Sequence, residues 1–245
     1  MNAAVTFLIA TRNAHKVGEI RAILGSQYHY LTLADFPDAP KVIEDAGTFA
    51  GNATKKAVEL AKWLGGTRNA ERGMRNLFVL ADDSGLEVDA LNGAPGVHSA
   101  RFAALESGNV ENSSDQENNA KLLHLLKDVP KEKRTARFRC VLALTPAQHG
   151  TRNTHLSSEA LAKEEHESSS PVCFADELEM QTEIFDGTCE GWMDLAPRGQ
   201  GGFGYDPLFI PNGYQQSFAE LGEEIKNQLS HRSKALAKLR AKLGK

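Results

Sequence analysis

Cysteine is scarce in this chain: Cys140, Cys173 and Cys189 stand far apart among 245 residues and form no C-x-x-C pair. That spacing excludes a disulfide framework and a cysteine-based zinc site, and so few thiols fit a reducing, cytoplasmic setting. Net positive charge is also lacking. The formal balance is −4, which argues against general affinity for a nucleic-acid backbone and leaves room for a small polyanion in a locally basic pocket. Long hydrophobic runs are missing too. The apolar stretch at residues 3–10 is too short to span a membrane, has no basic residues before it and no small-residue cleavage site after it, and is read as neither anchor nor signal peptide. Internal repeats are absent. What remains is ordinary globular composition, 41% hydrophobic and 24% charged, at a length suited to one large domain or two closely joined lobes.

The stretch Ala81-Asp82-Asp83-Ser84-Gly85 carries the most chemistry. The run Leu77-Phe78-Val79-Leu80 before it reads as a buried strand, and Gly85 permits a tight turn. Two carboxylates at the end of such a strand sit at the sheet rim, where α/β proteins bind ligands, and paired oxygens suit a hard cation such as Mg²⁺ with a phosphate-bearing substrate. Taken alone, the stretch reads better as a strand-to-turn connection with two solvated aspartates. Strand periodicity sends Asp82 and Asp83 to opposite faces if the strand persists. After Gly85, Leu86, Val88 and Ala90 alternate with Glu87 and Asp89 as in a half-buried strand, and Asn92-Gly93 signals a turn.

Residues 5–10 read as a first buried strand, followed by the polar loop Thr11-Arg12-Asn13 and a helix with Val17, Ile20 and Leu24 on one face, closed by Gly25. Strand, polar loop and helix aim backbone N–H groups at an anion. Asn13 is a candidate cap, and Lys16, one turn in, projects to the same end or is a plain surface lysine. A second polar turn holds Glu44, a candidate metal carboxylate or a solvated loop acid. The helix after it has Phe49, Ala53, Ala57, Leu60 and Leu64 as its apolar stripe, with Asn52 and Lys56 sharing another face at i, i+4. Lys56 reads by default as part of a solvated face. Residues 65–75 form a Gly- and Arg-rich connection.

Ser114 and Glu117 mark a capping box, residues 135–144 a strand, and residues 146–179 a polar, Ser/Glu-rich excursion. The densest glycine run, Gly199-Gln200-Gly201-Gly202-Phe203-Gly204-Tyr205-Asp206-Pro207, is a poor dinucleotide fingerprint because it leads into extended chain rather than opening a helix. A nicotinamide dehydrogenase is therefore disfavoured. A nucleotide clasp fits better, with Phe203 or Tyr205 stacking on a base; a glycine-rich hairpin with a core aromatic fits as well. Ser217 and Glu220 form another capping box before a short helical stretch at residues 223–229 that carries Lys226. His231-Arg232 then opens the last helix, where the macrodipole disfavours cations, a local rule-breaking that is a mild pointer to function; a surface turn is the alternative reading.

Together these stretches resemble the inosine triphosphate pyrophosphatase (Ham1) family. The matching blocks are Thr11-Arg12-Asn13-Ala14-His15-Lys16; Glu44 with Thr48-Phe49, Asn52-Ala53 and Lys56-Ala57; Ala81-Asp82-Asp83-Ser84-Gly85-Leu86-Glu87-Val88 with Gly93-Ala94-Pro95-Gly96 and Ser99-Ala100-Arg101; Gly201-Gly202-Phe203-Gly204-Tyr205-Asp206-Pro207; and Ser230-His231-Arg232. Two positions depart: Arg12 stands where the family usually has glycine, and Gly51 where it commonly has glutamate.

The resemblance implies a single α/β domain over residues 1–245, an elongated two-lobed fold of the ITPase-like (Maf/Ham1) kind with a long mixed β-sheet and a substrate cleft between the lobes, usually a homodimer. It implies Mg²⁺-dependent hydrolysis of ITP, dITP and XTP to monophosphate and pyrophosphate, clearing deaminated purines from the nucleotide pool. Asp83 takes the role of proton acceptor, and Glu44 and Asp83 hold the metal. The substrate contacts fall on Thr11, Arg12, Asn13, Ala14, His15, Lys16, Lys56, Ser84, Phe203, Gly204, Tyr205, Asp206, Lys226, His231 and Arg232. Asp82 is expected to support rather than react. Cationic His231 and Arg232 would favour a 6-oxo base over adenine, whose amino group opposes donors. The alternatives are a nucleotide-binding sensor with little turnover and a pyrophosphatase for modified pyrimidine nucleotides.

Overall fold

A computed structural model describes residues 5–66, 76–107, 112–147 and 181–244. The polar excursion expected at residues 146–179 falls outside the described residues from 148 onward, as does most of the connection before the third strand.

Six strands form one mixed sheet in the order β2-β1-β3-β4-β5-β6. They are β1 (Thr6–Ile9), β2 (His29–Thr32), β3 (Leu77–Val88), β4 (Thr135–Pro146), β5 (Glu183–Met193) and β6 (Phe209–Pro211). Strand β1 pairs in parallel with both β2 and β3, and every later pairing is antiparallel. The parallel part needs crossovers, which are supplied by helices α1 (Ala14–Leu24) and α2 (Phe49–Gly66). Helices on both faces explain why β1 is buried at every residue and reads as a continuous apolar run rather than an alternating one.

The pleat distributes side chains between two cores. Leu8, Val79, Ala81, Val141 and Ala143 face α2, where Ala53, Ala57, Leu60 and Leu64 meet them. Phe7, Ile9, Leu80 and Leu142 face the other way, against Ile20 and Leu24 of α1 and Ala235, Leu236 and Leu239 of the last helix, α5 (His231–Lys242). Strands β3 and β4 run beyond these layers to a third core, where Leu86, Val88, Phe138 and Met193 pack with Leu122 and Leu126 of α3 (Asp115–Leu126) and Phe218 of α4 (Phe218–Leu229). The long strands thus join two lobes. None of the described helices is long and apolar enough to cross a membrane.

Both expected capping boxes are present, Ser114 with Glu117 and Ser217 with Glu220. Two expectations change. The helical stretch carrying Lys226 begins at Phe218, five residues before the expected start, with a break at Gly222 (φ 80°). More importantly, Gly85 does not turn the chain. Strand β3 continues through Asp82, Asp83, Ser84 and Gly85 to Val88, paired with β4 throughout. Glycine is required there for close approach instead: a Cβ at Gly85 would lie 2.4 Å from Ser99 Oγ and 2.5 Å from the Gly96 carbonyl oxygen.

Candidate active site

Because β3 continues, its two aspartates occupy opposite faces of the sheet, and their surroundings could hardly differ more. Asp82 enters the α1/α5 side and is 1% exposed. Its carboxylate accepts from Lys16 Nζ (2.5 Å), Arg232 Nε (2.9 Å), Ser84 Oγ (2.9 Å) and Cys140 Sγ (3.2 Å). Burial pushes its pKa up, but the Arg232 and Lys16 charges and their hydrogen bonds prevail and hold it well below the ordinary carboxylate value. Asp82 is therefore a fixed anion.

Asp83 faces α2. Among the described residues its carboxylate receives one hydrogen bond, from Asn52 Nδ2 at 3.0 Å. Burial dominates and pushes its pKa up to about 6; Lys16 and Lys56 pull it down, and the Glu44 carboxylate pushes it up again. A carboxylate kept ionisable near neutrality, with cations nearby, has the character of a general base.

The loop before α2 supplies the second acid. Lys56 Nζ bonds Glu44 Oε1 at 2.8 Å and the Asp82 carbonyl oxygen at 2.9 Å, so Lys56 is turned towards Glu44 and β3 and is not part of a solvated face. Arg101 donates to the Glu44 carbonyl at 3.2 Å. Asn52, which sequence reasoning gave no role, joins loop and strand: its side-chain oxygen accepts from Ala46 N at 2.8 Å while its amide nitrogen holds Asp83. The i, i+4 spacing with Lys56 was the available signal. Gly51 sits under this loop, since a Cβ there would meet the Ala46 methyl at 2.8 Å.

Glu44 and Asp83 offer hard oxygen donors, and the Glu44 charge raises the cost of ionising Asp83, which a divalent cation would relieve. Among the described residues no group of three or more His, Cys, Asp and Glu side chains is placed to hold a metal ion. Two carboxylates with the remaining positions left to water and phosphate oxygens match the way Mg²⁺ is commonly bound.

At the phosphate loop, Asn13 caps α1, its Oδ1 accepting from His15 N (2.9 Å) and Lys16 N (3.2 Å). Thr11 Oγ1 accepts from Asn13 N at 3.2 Å, and Arg12 reaches the Ala39 carbonyl at 3.5 Å. Ala14 and His15 line a cavity of about 250 Å³ between α1 and α4, together with Phe203 and Lys226. His15 stacks on Phe203 with centroids 5.3 Å apart, and Lys226 Nζ lies 4.2 Å from the centre of the same ring.

Of the two aromatics in the glycine run, then, Phe203 faces the cavity. Tyr205 does not: it is buried in the third core and donates its hydroxyl to the Ser99 carbonyl at 2.9 Å. Gly204 is held by its backbone, N–H to Asp115 Oδ2 (2.6 Å) and carbonyl to Asn119 Nδ2 (2.9 Å). Asp206 accepts from Lys226 Nζ (2.6 Å) and Phe203 N (2.9 Å), and burial raises its pKa against the pull of Lys226.

The odd helix start is explained by what the two residues meet. Helix α5 packs so closely on β5 that a Cβ at Gly187 would lie 2.1 Å from the His231 carbonyl oxygen. This drives Arg232, 1% exposed, into the sheet, where it pairs with Asp82 and Glu19 and donates to Ser84 Oγ at 2.8 Å. His231 is not the expected cation. It is buried against Phe138 (centroids 4.9 Å apart), and desolvation, then the Arg232 charge, pushes its pKa well down, so the ring is neutral. Glu19 was missed in the sequence, where it passes for a surface acid one turn after Lys16. It joins Arg232 to Lys226, which lies 2.8 Å from Glu19 Oε1. Alternating charges therefore run Lys16, Asp82, Arg232, Glu19, Lys226, Asp206 from the phosphate loop to the cavity.

A family model described as the Ham1 family matches residues 7–242. The chain is 44% identical over 238 residues to a dITP/XTP pyrophosphatase of Geobacter sulfurreducens, covering 97% of this chain and 96% of the relative. It is 42% identical over 232 residues to a dITP/XTP pyrophosphatase of Desulforamulus reducens, covering 94% and 92%. Among solved structures, the Ham1 protein of Staphylococcus aureus superposes with a TM-score of 0.69 at 33% identity, with 98% of each chain covered. A HAM1 protein from Coxiella burnetii gives 0.71 at 32%, again with 98% of each.

Proposed function

This chain belongs to the Ham1 family, and from that premise we propose that it hydrolyses non-canonical purine nucleoside triphosphates (ITP, dITP and XTP) to monophosphate and pyrophosphate, with Mg²⁺. The observation that carries the reading is the pairing of a buried, ionisable Asp83 with the Glu44–Lys56 ion pair across the α2 face. The names of the relatives support the substrate class.

In this mechanism Lys16, Lys56 and the N-terminal turn of α1 engage phosphate oxygens, with Arg12 beside them on the same loop. Asp83 accepts a proton from the attacking water, which opens the anhydride and releases pyrophosphate. Asn52 keeps its carboxylate oriented. Glu44 and Asp83 would hold the metal, which when bound would supply charge neutralisation on the triphosphate. Phe203 stacks on the base. Lys226 faces its 6-oxygen, and neutral His231 offers a single donor or acceptor, its Nδ1 being buried without a hydrogen-bond partner among the described residues. Asp82 and Arg232 act by holding Lys16, Ser84 and Lys226's partner Glu19 in place. The protein works in the cytoplasm, consistent with the two cysteines among the described residues, Cys140 and Cys189, being buried free thiols, and as a homodimer.

Pyrophosphate release from ITP, XTP, GTP, ATP and dUTP, with Mg²⁺ and with chelator, tests this. The expected result is turnover of ITP and XTP well above the others, abolished by the chelator. Equal rates on all five, or release from dUTP alone, would refute the assignment. Sedimentation tests the dimer.

A further inference from the structure

Phe203 belongs to the connection between β5 and β6, residues 194–208, none of which lies in a helix or strand. A ring on such a segment keeps its aim only if the backbone groups around it have fixed partners. Three of them do. The Phe203 N–H donates to Asp206 Oδ2 at 2.9 Å. Gly204, left-handed at φ 64°, has both of its backbone groups taken by side chains of one helix. Its N–H donates to Asp115 Oδ2 at 2.6 Å, and its carbonyl accepts from Asn119 Nδ2 at 2.9 Å. Asp115 and Asn119 stand at i and i+4 on α3, so they share a face, and that face grips the residue after Phe203 by both its polar groups.

Helix α3 is in turn tied to the strand that carries Asp83. Asn118 Oδ1 accepts from Ala103 N at 2.8 Å, and Asn118 Nδ2 donates to the Ala100 carbonyl at 3.3 Å. Ala100 lies in the short 3₁₀ stretch Gly96–Arg101, where Ser99 Oγ accepts the Leu86 N–H of β3 at 2.9 Å. The grip therefore refers the position of Phe203 to β3. Asp115 itself is exposed. Without its carboxylate, water can satisfy the Gly204 N–H at small cost to the fold, but water does not fix the loop.

We propose that Asp115 and Asn119 are positioning residues for base binding: by holding both backbone groups of Gly204 they fix the Phe203 ring at the angle from which it stacks on the nucleobase. The inference rests on the nucleotide reading above and deepens it, giving a part in base recognition to α3, a helix with no share in the phosphate and metal groups. Its effect is confined to one half of the substrate. The phosphates are assigned to Lys16, Lys56 and the start of α1, so loosening the grip weakens the hold on the base and leaves the hold on the triphosphate as it was.

The experiment measures KM and kcat for ITP, and inhibition by inorganic tripolyphosphate, in Asp115→Ala and Asp115→Asn, each made in the wild-type and in the Phe203→Ala background. Asp115→Ala is expected to raise KM about three- to tenfold, in the range of one hydrogen bond. Its kcat and its tripolyphosphate inhibition should stay within about twofold of wild type. Asparagine keeps an acceptor for the Gly204 N–H, so Asp115→Asn should return KM to within about twofold. In the Phe203→Ala background the alanine change should add less than about twofold, because the ring through which it acts is gone. An unchanged KM in Asp115→Ala overturns the proposal. So does a tripolyphosphate affinity that falls as far as that for ITP, since the whole site would then have loosened. A full effect in the Phe203→Ala background, or an asparagine variant as impaired as the alanine one, overturns it as well. Calorimetric affinities for IMP and ribose 5-phosphate read the base contact without turnover. Equal affinities in the wild-type protein sink the base site at Phe203 and the inference with it. A wild-type protein that prefers IMP, loses that preference in Asp115→Ala, yet releases no pyrophosphate from any triphosphate would uphold the grip and sink the hydrolase reading instead.

Discussion

Replacing Asp83 with asparagine is expected to do two opposite things at once: abolish turnover and stabilise the fold. The carboxyl is buried, and its pKa lies at about 6 instead of 3.8. Two pH units of displacement, at about 1.4 kcal/mol each, put the destabilisation by the ionised form near 3 kcal/mol, which relaxation around the site reduces to about 1–3 kcal/mol. The sign follows from proton linkage. Between about pH 4 and 6 the native state keeps a proton that the unfolded chain has lost, so stability falls as pH rises through that window and stays lowered at neutrality. Asparagine has no proton to lose. It still offers Asn52 an acceptor, and Lys16 and Lys56 keep their carboxylates on Asp82 and Glu44. With metal removed by chelator at pH 7.5, Asp83→Asn is expected to melt about 2–10 °C higher than wild type, and its stability should no longer decline between pH 4 and 6. Pyrophosphate release from ITP should drop by more than about a hundredfold, the range a lost general base gives. Activity within tenfold of wild type would remove Asp83 as the base. A lower melting temperature with the pH 4–6 decline intact would show that the raised pKa does not belong to this group.

The neighbouring aspartate predicts the reverse. Asp82→Asn leaves Lys16 and Arg232 facing a neutral amide inside the sheet, and urea unfolding should show a loss of about 3–5 kcal/mol; because the Asp82 carboxyl is held well below its usual pKa, this contribution is complete above about pH 4 and fades as pH falls below it. Gly85→Ala would bring a methyl to 2.4 Å from Ser99 Oγ and should cost about 1–3 kcal/mol, measured in the same way. Phe203→Ala should raise KM for ITP about tenfold or more, the worth of one stacked base, whereas Tyr205→Phe should cost about 1 kcal/mol of stability with KM within twofold; equal KM effects from both would return Tyr205 to the base site.

Local signals carried much of this architecture. Capping boxes, the α2 stripe and the β1 run announce elements whose stability is settled within a few residues. The blocks around Lys16, Glu44, Asp83, Phe203 and Arg232 could be picked out because each breaks an apolar pattern with polar groups. What could not be read was anything decided by a distant partner. Gly85 looks like a turn residue until Ser99, fourteen positions on, is placed against it. His231 looks like a cation until Phe138 stacks on it. Tyr205 and Phe203 are two residues apart in one loop, and apolar packing in the third core with the hydroxyl bond to Ser99 sends one inward. Glu19 passed unnoticed and Asn52 was given no role because their partners are far away in sequence, Arg232 and Asp83 respectively.

The adjacency of Asp82 and Asp83 is itself the economical part of the design. A catalytic carboxylate must sit in a site dry enough to raise its pKa and rigid enough to hold its aim, and these demands conflict, since the groups that rigidify a carboxylate are donors and cations that lower its pKa. Strand pleating resolves the conflict by separating the two tasks by one residue. Asp82 takes the cations, Lys16 and Arg232, and through Glu19 the same charge chain reaches Lys226 and the cavity. Asp83, on the other face of the same backbone, inherits the rigidity of a strand pinned by that chain and keeps a single neutral donor, Asn52. Inserting one residue between them would put both on one face, where the cations would be shared and the second carboxylate would lose the raised pKa its proposed task requires.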